Sequence, residues 1–339
     1  MEIKQSFLLS DYNTFKIPAT TDYWVTYDSI KDLELLISDE FFQESRSLHI
    51  GEGSNLLFLA NFHGIILFSR IDSIEEISRT SSDITLMVGA GMNWDKFVEY
   101  TVQHGYYGIE NLSLIPGQVG SSAIQNIGAY GVEASQYITA VHAIDKRNGE
   151  KRRFENRECD YSYRHSIFKE PEYDKYIVTH VEYTLKLVPE LNLSYKDLSS
   201  YFEASAETPS LEKVREAVIK IRQSKLPDTE ILGNAGSFFM NPIITSDEFA
   251  KLQLKYPHIP HYVMEGGLVK VPAGWLIDQC GFKGHQDGHA GVYEKQALVL
   301  VNLDGKATGN DIANLAEKIK GEVKSKFDIT IEPEVKYIF

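Results

Sequence analysis

Ile115-Pro116-Gly117-Gln118-Val119-Gly120-Ser121-Ser122-Ala123-Ile124-Gln125-Asn126-Ile127-Gly128-Ala129-Tyr130-Gly131 is the stretch whose reading decides the fold around it. Four glycines and several small polar residues fall there, and charges are scarce. A backbone of this kind can lie closely along a pyrophosphate and a flat heterocycle, using amide dipoles in place of cations. A glycine-rich surface loop is the alternative. The apolar residues Ile115, Val119, Ile124 and Ile127 weigh against it, since exposed loops rarely alternate in this way. A shorter segment upstream, Gly51-Glu52-Gly53-Ser54-Asn55, follows the apolar run Leu48-His49-Ile50. Its backbone can turn N–H groups inward as an anion nest, with Ser54 and Asn55 adding donors. A tight turn explains a lone G-x-G equally well. It is not the dinucleotide fingerprint, because Leu56 stands where the third glycine belongs and another apolar strand follows.

Working outward, Leu48–Ile50, Ile65–Phe68 and Ile84–Val88 read as buried strands. After Gly89-Ala90-Gly91 the spacing of Trp94, Phe97, Val98 and Thr101 predicts a helix that Gly105 stops. From Ile177 to Leu187 the odd positions are largely apolar and the even ones include His180, Glu182, Thr184 and Lys186, which predicts a half-exposed strand. Thr208-Pro209 reads as N-cap and first-turn proline of a helix striped by Leu211, Val214, Val218 and Ile221. That helix should end before Leu226-Pro227, where a lobe boundary is placed. Further on come a capping box at Thr245-x-x-Glu248, a short helix over Pro272–Gly281 and an apolar strand over Ala297–Val301. A long helix then carries Ile312, Leu315, Ala316, Ile319 and Val323, and a strand is expected at Ile329–Ile331. The class expected is α+β.

Bulk properties narrow the function. The 339 residues are enough for two domains, with 43% hydrophobic and 24% charged side chains. A net charge of −14 argues against nucleic acid or anionic lipid as the main partner. It also means that cations facing an anionic ligand must be locally concentrated. No basic-then-apolar leader and no long apolar run is present, so a cytoplasmic protein without a membrane partner is expected. Cys159 and Cys280 read as lone buried thiols, and no Cys/His cluster has metal spacing.

Several blocks carry a resemblance: Asn13-Thr14-Phe15, GEGSNLLF (51–58), ENLSLIPGQVGSSAIQNIGAYGVE (110–133), Tyr163-Arg164-x-Ser166-Ile167-Phe168-Lys169, GNAGSFFMNP (233–242), PAGWLIDQCGFKG (272–284) and Glu332-Pro333-Glu334-Val335. In order, over residues 12 to 338, the chain resembles the UDP-N-acetylenolpyruvoylglucosamine reductases, also called UDP-N-acetylmuramate dehydrogenases. The variant resembled is the longer one, within the vanillyl-alcohol-oxidase-like FAD-binding superfamily. The resemblance implies a two-lobed FAD-binding domain plus an α+β substrate lobe. The segments would be 1–70, joined by a C-terminal strand in 329–339, then 71–222, with 223–328 for substrate. It implies non-covalent FAD, NADPH as hydride donor, and a role in peptidoglycan precursor synthesis. The protein would be a monomer acting on small molecules.

The resemblance places FAD against Gly51, Glu52, Gly53, Ser54, Asn55, Ile115, Pro116, Gly117, Gly120, Ser121, Ser122, Gln125, Asn126, Gly128, Ala129, Tyr130 and Gly131. The reaction implied is hydride addition to an enol ether beside a carboxylate, by way of flavin N5, followed by protonation of the neighbouring carbon. Such chemistry needs charge stabilisation and a general acid. Arg164, next to Tyr163, can grip the carboxylate bidentately; read alone, it is as well explained by a surface ion pair. Glu334 matches the family glutamate that hydrogen-bonds the enolate, which implies a carboxyl raised by burial. Read alone it is a solvated strand-end group, with Glu332 as competitor. Ser237 matches the proton donor, and without the family it is a turn or N-cap serine. The UDP moiety would fall to Tyr195, Arg222, Lys225 and Asn241, with Gln296 also touching substrate. Arg222 and Lys225 are equally at home as cations at a helix C-terminus. Two departures stand out: Met240 where the family often has lysine, and Lys336 where arginine is common. A flavin oxidase of the same superfamily and a non-catalytic flavin or nucleotide sensor are the competing readings. Neither gives Arg164, Ser237 and Glu334 a joint task.

Overall fold

The computed structural model describes residues 1–205 and 207–339. They form two compact units: Met1–Phe7, Thr21–Glu52 and His63–Ser224 make the first, and Leu8–Thr20, Gly53–Phe62 and Lys225–Phe339 the second.

The first unit is built on a five-stranded antiparallel sheet in the order Lys151–Glu155, Ile138–Asp145, Tyr176–Lys186, Asp83–Gly89, Ile74–Arg79. Its central strand, Tyr176–Lys186, departs from the half-exposed expectation. Val181, Tyr183 and Leu185 enter the main core, Ile177 packs with Val25 and Leu67, and even Glu182 is buried. A strand with neighbours along both edges and apolar layers over both faces has little room for a solvated side. A second sheet, ordered Glu2–Leu8, Thr20–Tyr27, Phe62–Ser69, Ser47–Ile50, ends in a parallel pair. Helices α1 (Ile30–Ile37) and α2 (Glu40–Glu44) bury Leu33, Leu36, Ile37 and Phe42 in the same layer.

Helix α3 (Trp94–Gln103) forms where its stripe predicts. Asn93 caps it by accepting the Lys96 N–H, and Trp94, Phe97, Val98 and Thr101 are buried. Helix α4 (Val119–Gln125) lies inside the glycine-rich stretch, where no helix was expected. Helices α5 (Lys196–Ser205) and α6 (Leu211–Lys225) pack together through Leu198, Phe202, Val214, Ala217, Val218 and Ile221. The end of α6 before Leu226-Pro227 is as expected. Its start is not: Ser210 Oγ accepts the Lys213 N–H, so Ser210 caps the helix in place of Thr208.

The second unit holds a sheet ordered Gly233–Asn234, Leu300–Asn302, Ala290–Val292, Gln286–Asp287, and a smaller one ordered Ile243–Thr245, Leu268–Lys270, Tyr262–Met264. Helix α7 (Ser246–Lys255) starts at the expected capping box, and α8 (Ala273–Gln279) occupies the expected short helix. Helix α9 (Gly309–Phe327) buries the expected stripe and ends on Asp328 in the left-handed region. Two strands are displaced from their expected positions. The run Ala297–Val301 yields a strand only at Leu300–Asn302, because Val299 N–H turns back to Gln296 O. Ile329 and Ile331 are buried but lie outside any strand; the terminal strand is Lys336–Ile338, parallel to Leu56–Phe58. Cys159 is buried, Cys280 only half-buried, and both are free thiols. Among the described residues, no helix is long and apolar enough to cross a membrane, and no group of His, Cys, Asp and Glu could hold a metal ion.

Candidate active site

In the first unit the glycine-rich stretch is anchored along α3 and the strand end before it. Trp94 N–H donates to Gly117 O at 2.9 Å, Trp94 Nε1 to Leu112 O at 2.8 Å, and Val119 N–H to Met92 O at 2.9 Å. Gly120 N–H donates to Ala90 O at 2.9 Å; a side chain on Gly120 would put its Cβ 2.9 Å from that of Ala90. Gly117 N–H reaches Glu52 Oε2 at 2.9 Å, while Asn93 Nδ2 holds Glu52 Oε1 at 2.6 Å. Gln118 N–H donates to Ser121 Oγ. The amides of Gly117, Gln118, Val119 and Gly120 are therefore taken up within the protein, and the dipoles read as facing a pyrophosphate must come from elsewhere along the stretch. Each of these four amides already satisfies a neighbouring acceptor, as buried backbone must. Ser122 also points inward, its hydroxyl donating to Val119 O and lying 2.7 Å from that of Tyr183.

Beyond α4 the stretch turns outward. Buried Asn126, at φ +45°, donates to Ser162 O at 2.8 Å and so ties the stretch to Tyr163-Arg164. Arg164 Nη2 donates to Gly128 O at 2.7 Å, and the guanidinium lies over the Tyr163 ring. Gly128–Ala129 and Val132–Glu133 form a hairpin whose turn, Tyr130-Gly131, has φ of +49° and +83°. The Tyr130 and Tyr195 rings meet edge to face, with centroids 5.4 Å apart. Arg222 Nε is enclosed and has no hydrogen-bond partner among the described residues. Burial pushes the Arg222 guanidinium below its ordinary value, Tyr130 and Asp95 oppose this, and Arg164 adds to it. An arginine beside a second arginine, with an unsatisfied N–H, is the chemistry of an anion site.

In the second unit Asn234 Oδ1 accepts the Gly236 N–H, and Gly236 turns at φ +65° with open space around it. Ser237 is thereby exposed between buried Ala235 and buried Phe238. Phe238 O accepts the Glu334 N–H at 2.8 Å, and Met240 N–H donates to Glu332 O at 2.9 Å. This register sets Glu334 beside Ser237-Phe238. The Glu332 carboxylate instead pairs with Lys320 at the surface. Asn55 is linked to the same segment: its amide donates to Glu334 O at 3.1 Å and its carbonyl accepts the Lys336 N–H. Asn241 Oδ1 accepts the Ala273 N–H, and Gln296 Oε1 lies 3.1 Å from where a Cβ on Gly274 would stand, so both meet the start of α8.

Residues 227–338 match the C-terminal domain family of UDP-N-acetylenolpyruvoylglucosamine reductase, and residues 25–155 match an FAD-binding domain family. The UDP-N-acetylenolpyruvoylglucosamine reductase of Porphyromonas gingivalis is 57% identical over 338 residues, covering 100% of both chains. That of Bacteroides fragilis is 46% identical, over 99% of this chain and 100% of its own. This chain belongs to the UDP-N-acetylenolpyruvoylglucosamine reductase family. The crystal structure of the Thermus caldophilus reductase superposes with a TM-score of 0.69 over 99% of each chain, at 23% identity, and has the same fold. A reductase of this family is an FAD-containing oxidoreductase, and the FAD-binding domain here is the one matched over residues 25–155.

The residues present in this reductase fit such a cofactor. Thr14, whose N–H donates to Gly53 O, has a buried hydroxyl without a hydrogen-bond partner among the described residues. At Gly128 a side chain would put its Cβ 3.0 Å from Arg164 Nη1, so the bare backbone is what lets that guanidinium close on the stretch. Of the residues singled out from the sequence, Gly51, Glu52, Ile115–Gly131, Tyr163, Arg164, Tyr195 and Arg222 fall in the first unit. Gly53, Ser54, Asn55, Lys225, Ser237, Asn241, Gln296 and Glu334 fall in the second. Reading the sequence missed Thr14 as a polar group, although it lies in a matched block. It also missed Asn111, whose buried amide donates to Tyr130 O and Asn192 O and so holds the turn near Tyr195.

Proposed function

We propose that this chain reduces the enolpyruvyl group of UDP-N-acetylglucosamine enolpyruvate to UDP-N-acetylmuramate with NADPH, in peptidoglycan precursor synthesis. The observation that carries the reading is the register of the second unit: Glu334 is bonded to the residue after an exposed Ser237, while Glu332 is turned to the surface. Non-covalent FAD, when bound, supplies the two-electron chemistry between nicotinamide and substrate. Arg164 grips the substrate carboxylate and stabilises charge as the enolate develops, with Glu334 hydrogen-bonding the same anion. Ser237 delivers the proton to the adjacent carbon. Exposed on its glycine turn, it can approach a substrate carbon as a buried serine could not. Tyr195, Arg222, Lys225 and Asn241 hold the UDP moiety, with Gln296 on the substrate, and the unsatisfied Arg222 Nε supports an anion there. Segments 1–70, with 329–339, and 71–222 serve FAD, and 223–328 serves the substrate. In this reading the protein is a cytoplasmic monomer that acts on small molecules, and the net charge of −14 opposes nucleic acid as a partner.

Purified protein should show oxidised-flavin absorbance bands and bleach them with NADPH, and should consume NADPH only when the UDP-enolpyruvyl sugar is present. Protein that takes up FAD but is never bleached by NADPH would refute the reading.

A further inference from the structure

Leu114, the residue before the glycine-rich stretch, has φ +58°, a conformation disfavoured for leucine. Its N–H donates to Asp95 Oδ1 at 2.5 Å. Asp95 is in turn gripped bidentately by Arg215, Nη1 to Oδ1 at 2.6 Å and Nη2 to Oδ2 at 2.9 Å. The pair is largely shielded, with the Arg215 side chain 11% and that of Asp95 27% exposed. Arg215 lies on α6, two turns before Arg222 and so on the same face. Burial acts to raise the Asp95 carboxyl, but the Arg215 and Leu114 bonds outweigh it and leave it below its ordinary value, so the acceptor stays ionised.

We infer that Asp95, oriented by Arg215, is a positioning residue that sets how the chain enters Ile115–Gly120, and that FAD affinity depends on it. The inference rests on the reading of Ile115–Gly131 as the flavin-lining stretch. The geometry gives the Asp95 carboxylate a task that its place in the first turn of α3 does not require. A first-turn aspartate favours the helix dipole from the surface, whereas this one is turned onto a strained backbone N–H and clamped by an arginine 120 residues away. Without the carboxylate, Leu114 loses the N–H bond that opposes its relaxation toward negative φ, and the stretch that follows shifts with it.

The test is reconstitution of apo-protein with FAD, followed by flavin fluorescence, for the parent and for Asp95→Ala, Asp95→Asn and Arg215→Gln, with thermal unfolding of each apo-protein alongside. Asp95→Ala should weaken FAD binding roughly 10- to 100-fold, the worth of a charge-assisted hydrogen bond. Asp95→Asn, which keeps an oxygen for the Leu114 N–H, should recover most of that loss, and Arg215→Gln should fall between. A purely helix-stabilising role would lower the apo unfolding temperature and leave the FAD dissociation constant unmoved; that result overturns the inference. Should Asp95→Ala fail to fold, Arg215→Gln and Asp95→Asn decide, and parental FAD affinity in both overturns it. If parent apo-protein takes up no FAD, the reading of the stretch fails instead, and the parent alone reports that outcome.

Discussion

The segment 112–120 of the first unit and the block 233–240 of the second both depend on glycine, yet they are held by opposite means. In the first, Gly120 permits close approach: its N–H meets Ala90 O, and the surrounding amides are taken up by Met92 O, Glu52 and Asp95. In the second, Gly236 permits an unusual turn in open space, and the backbone bonds of Phe238, Met240 and Glu334 secure the flanks while Ser237 projects. One arrangement makes a platform whose shape is set from behind. The other presents a single hydroxyl. Glycine content alone does not separate these roles; what separates them is whether the space beside each glycine is filled.

Three substitutions can break or sharpen this contrast. The largest effect is expected from Trp94→Ala. The indole is fully buried and donates to Leu112 O, so its loss should cost about 3–5 kcal/mol in denaturant unfolding and release FAD as well. If FAD were kept at parental affinity, the platform would not depend on α3. Next, Gly120→Ala should cost about 1–3 kcal/mol, since the added methyl meets Ala90 at 2.9 Å. Gly236→Ala meets nothing and carries only the left-handed penalty of about 1–2 kcal/mol. By calorimetry and turnover, Gly120→Ala should weaken FAD binding, and Gly236→Ala should lower turnover with FAD retained. Equal loss of FAD in both would erase the distinction. The smallest effect lies outside both regions. Glu182 is held below the ordinary glutamate value by Arg153 foremost and by His142, against burial. Its folded value is depressed, so the stability it adds is present above the ordinary range and is lost as pH falls through the folded value. The gap in unfolding temperature between parent and Glu182→Gln should therefore narrow on acidification from about pH 7 to 3. A gap that widens would contradict the assignment.

Much of the fold is legible in periodicity. The stripes of α3, α6 and α9 and the capping box of α7 appear where side-chain spacing puts them, because an apolar face must be buried whatever its partner. Helix α4 is illegible for the same reason: Val-Gly-Ser-Ser-Ala-Ile-Gln has weak helix propensity and scarcely a stripe, and it forms because its bonds to Ala90 and Met92 hold it. The two-sided burial of Tyr176–Lys186 depends on its central place in the sheet, which alternation along one strand does not encode. At the site, the local turn at Gly236-Ser237 can be read from its block, whereas the backbone bond that sets Glu334 beside Phe238 reaches a segment nearly a hundred residues earlier. The Asp95–Arg215 pair spans 120 residues and leaves no local pattern to find.

The most direct measurement is anaerobic stopped-flow of Ser237→Ala. Bleaching of its flavin by NADPH should proceed at the parental rate. Reoxidation by the UDP-enolpyruvyl sugar should slow roughly 10²- to 10⁴-fold, as expected when a proton donor is removed. Reoxidation at the parental rate would contradict the assignment of Ser237 as the acid.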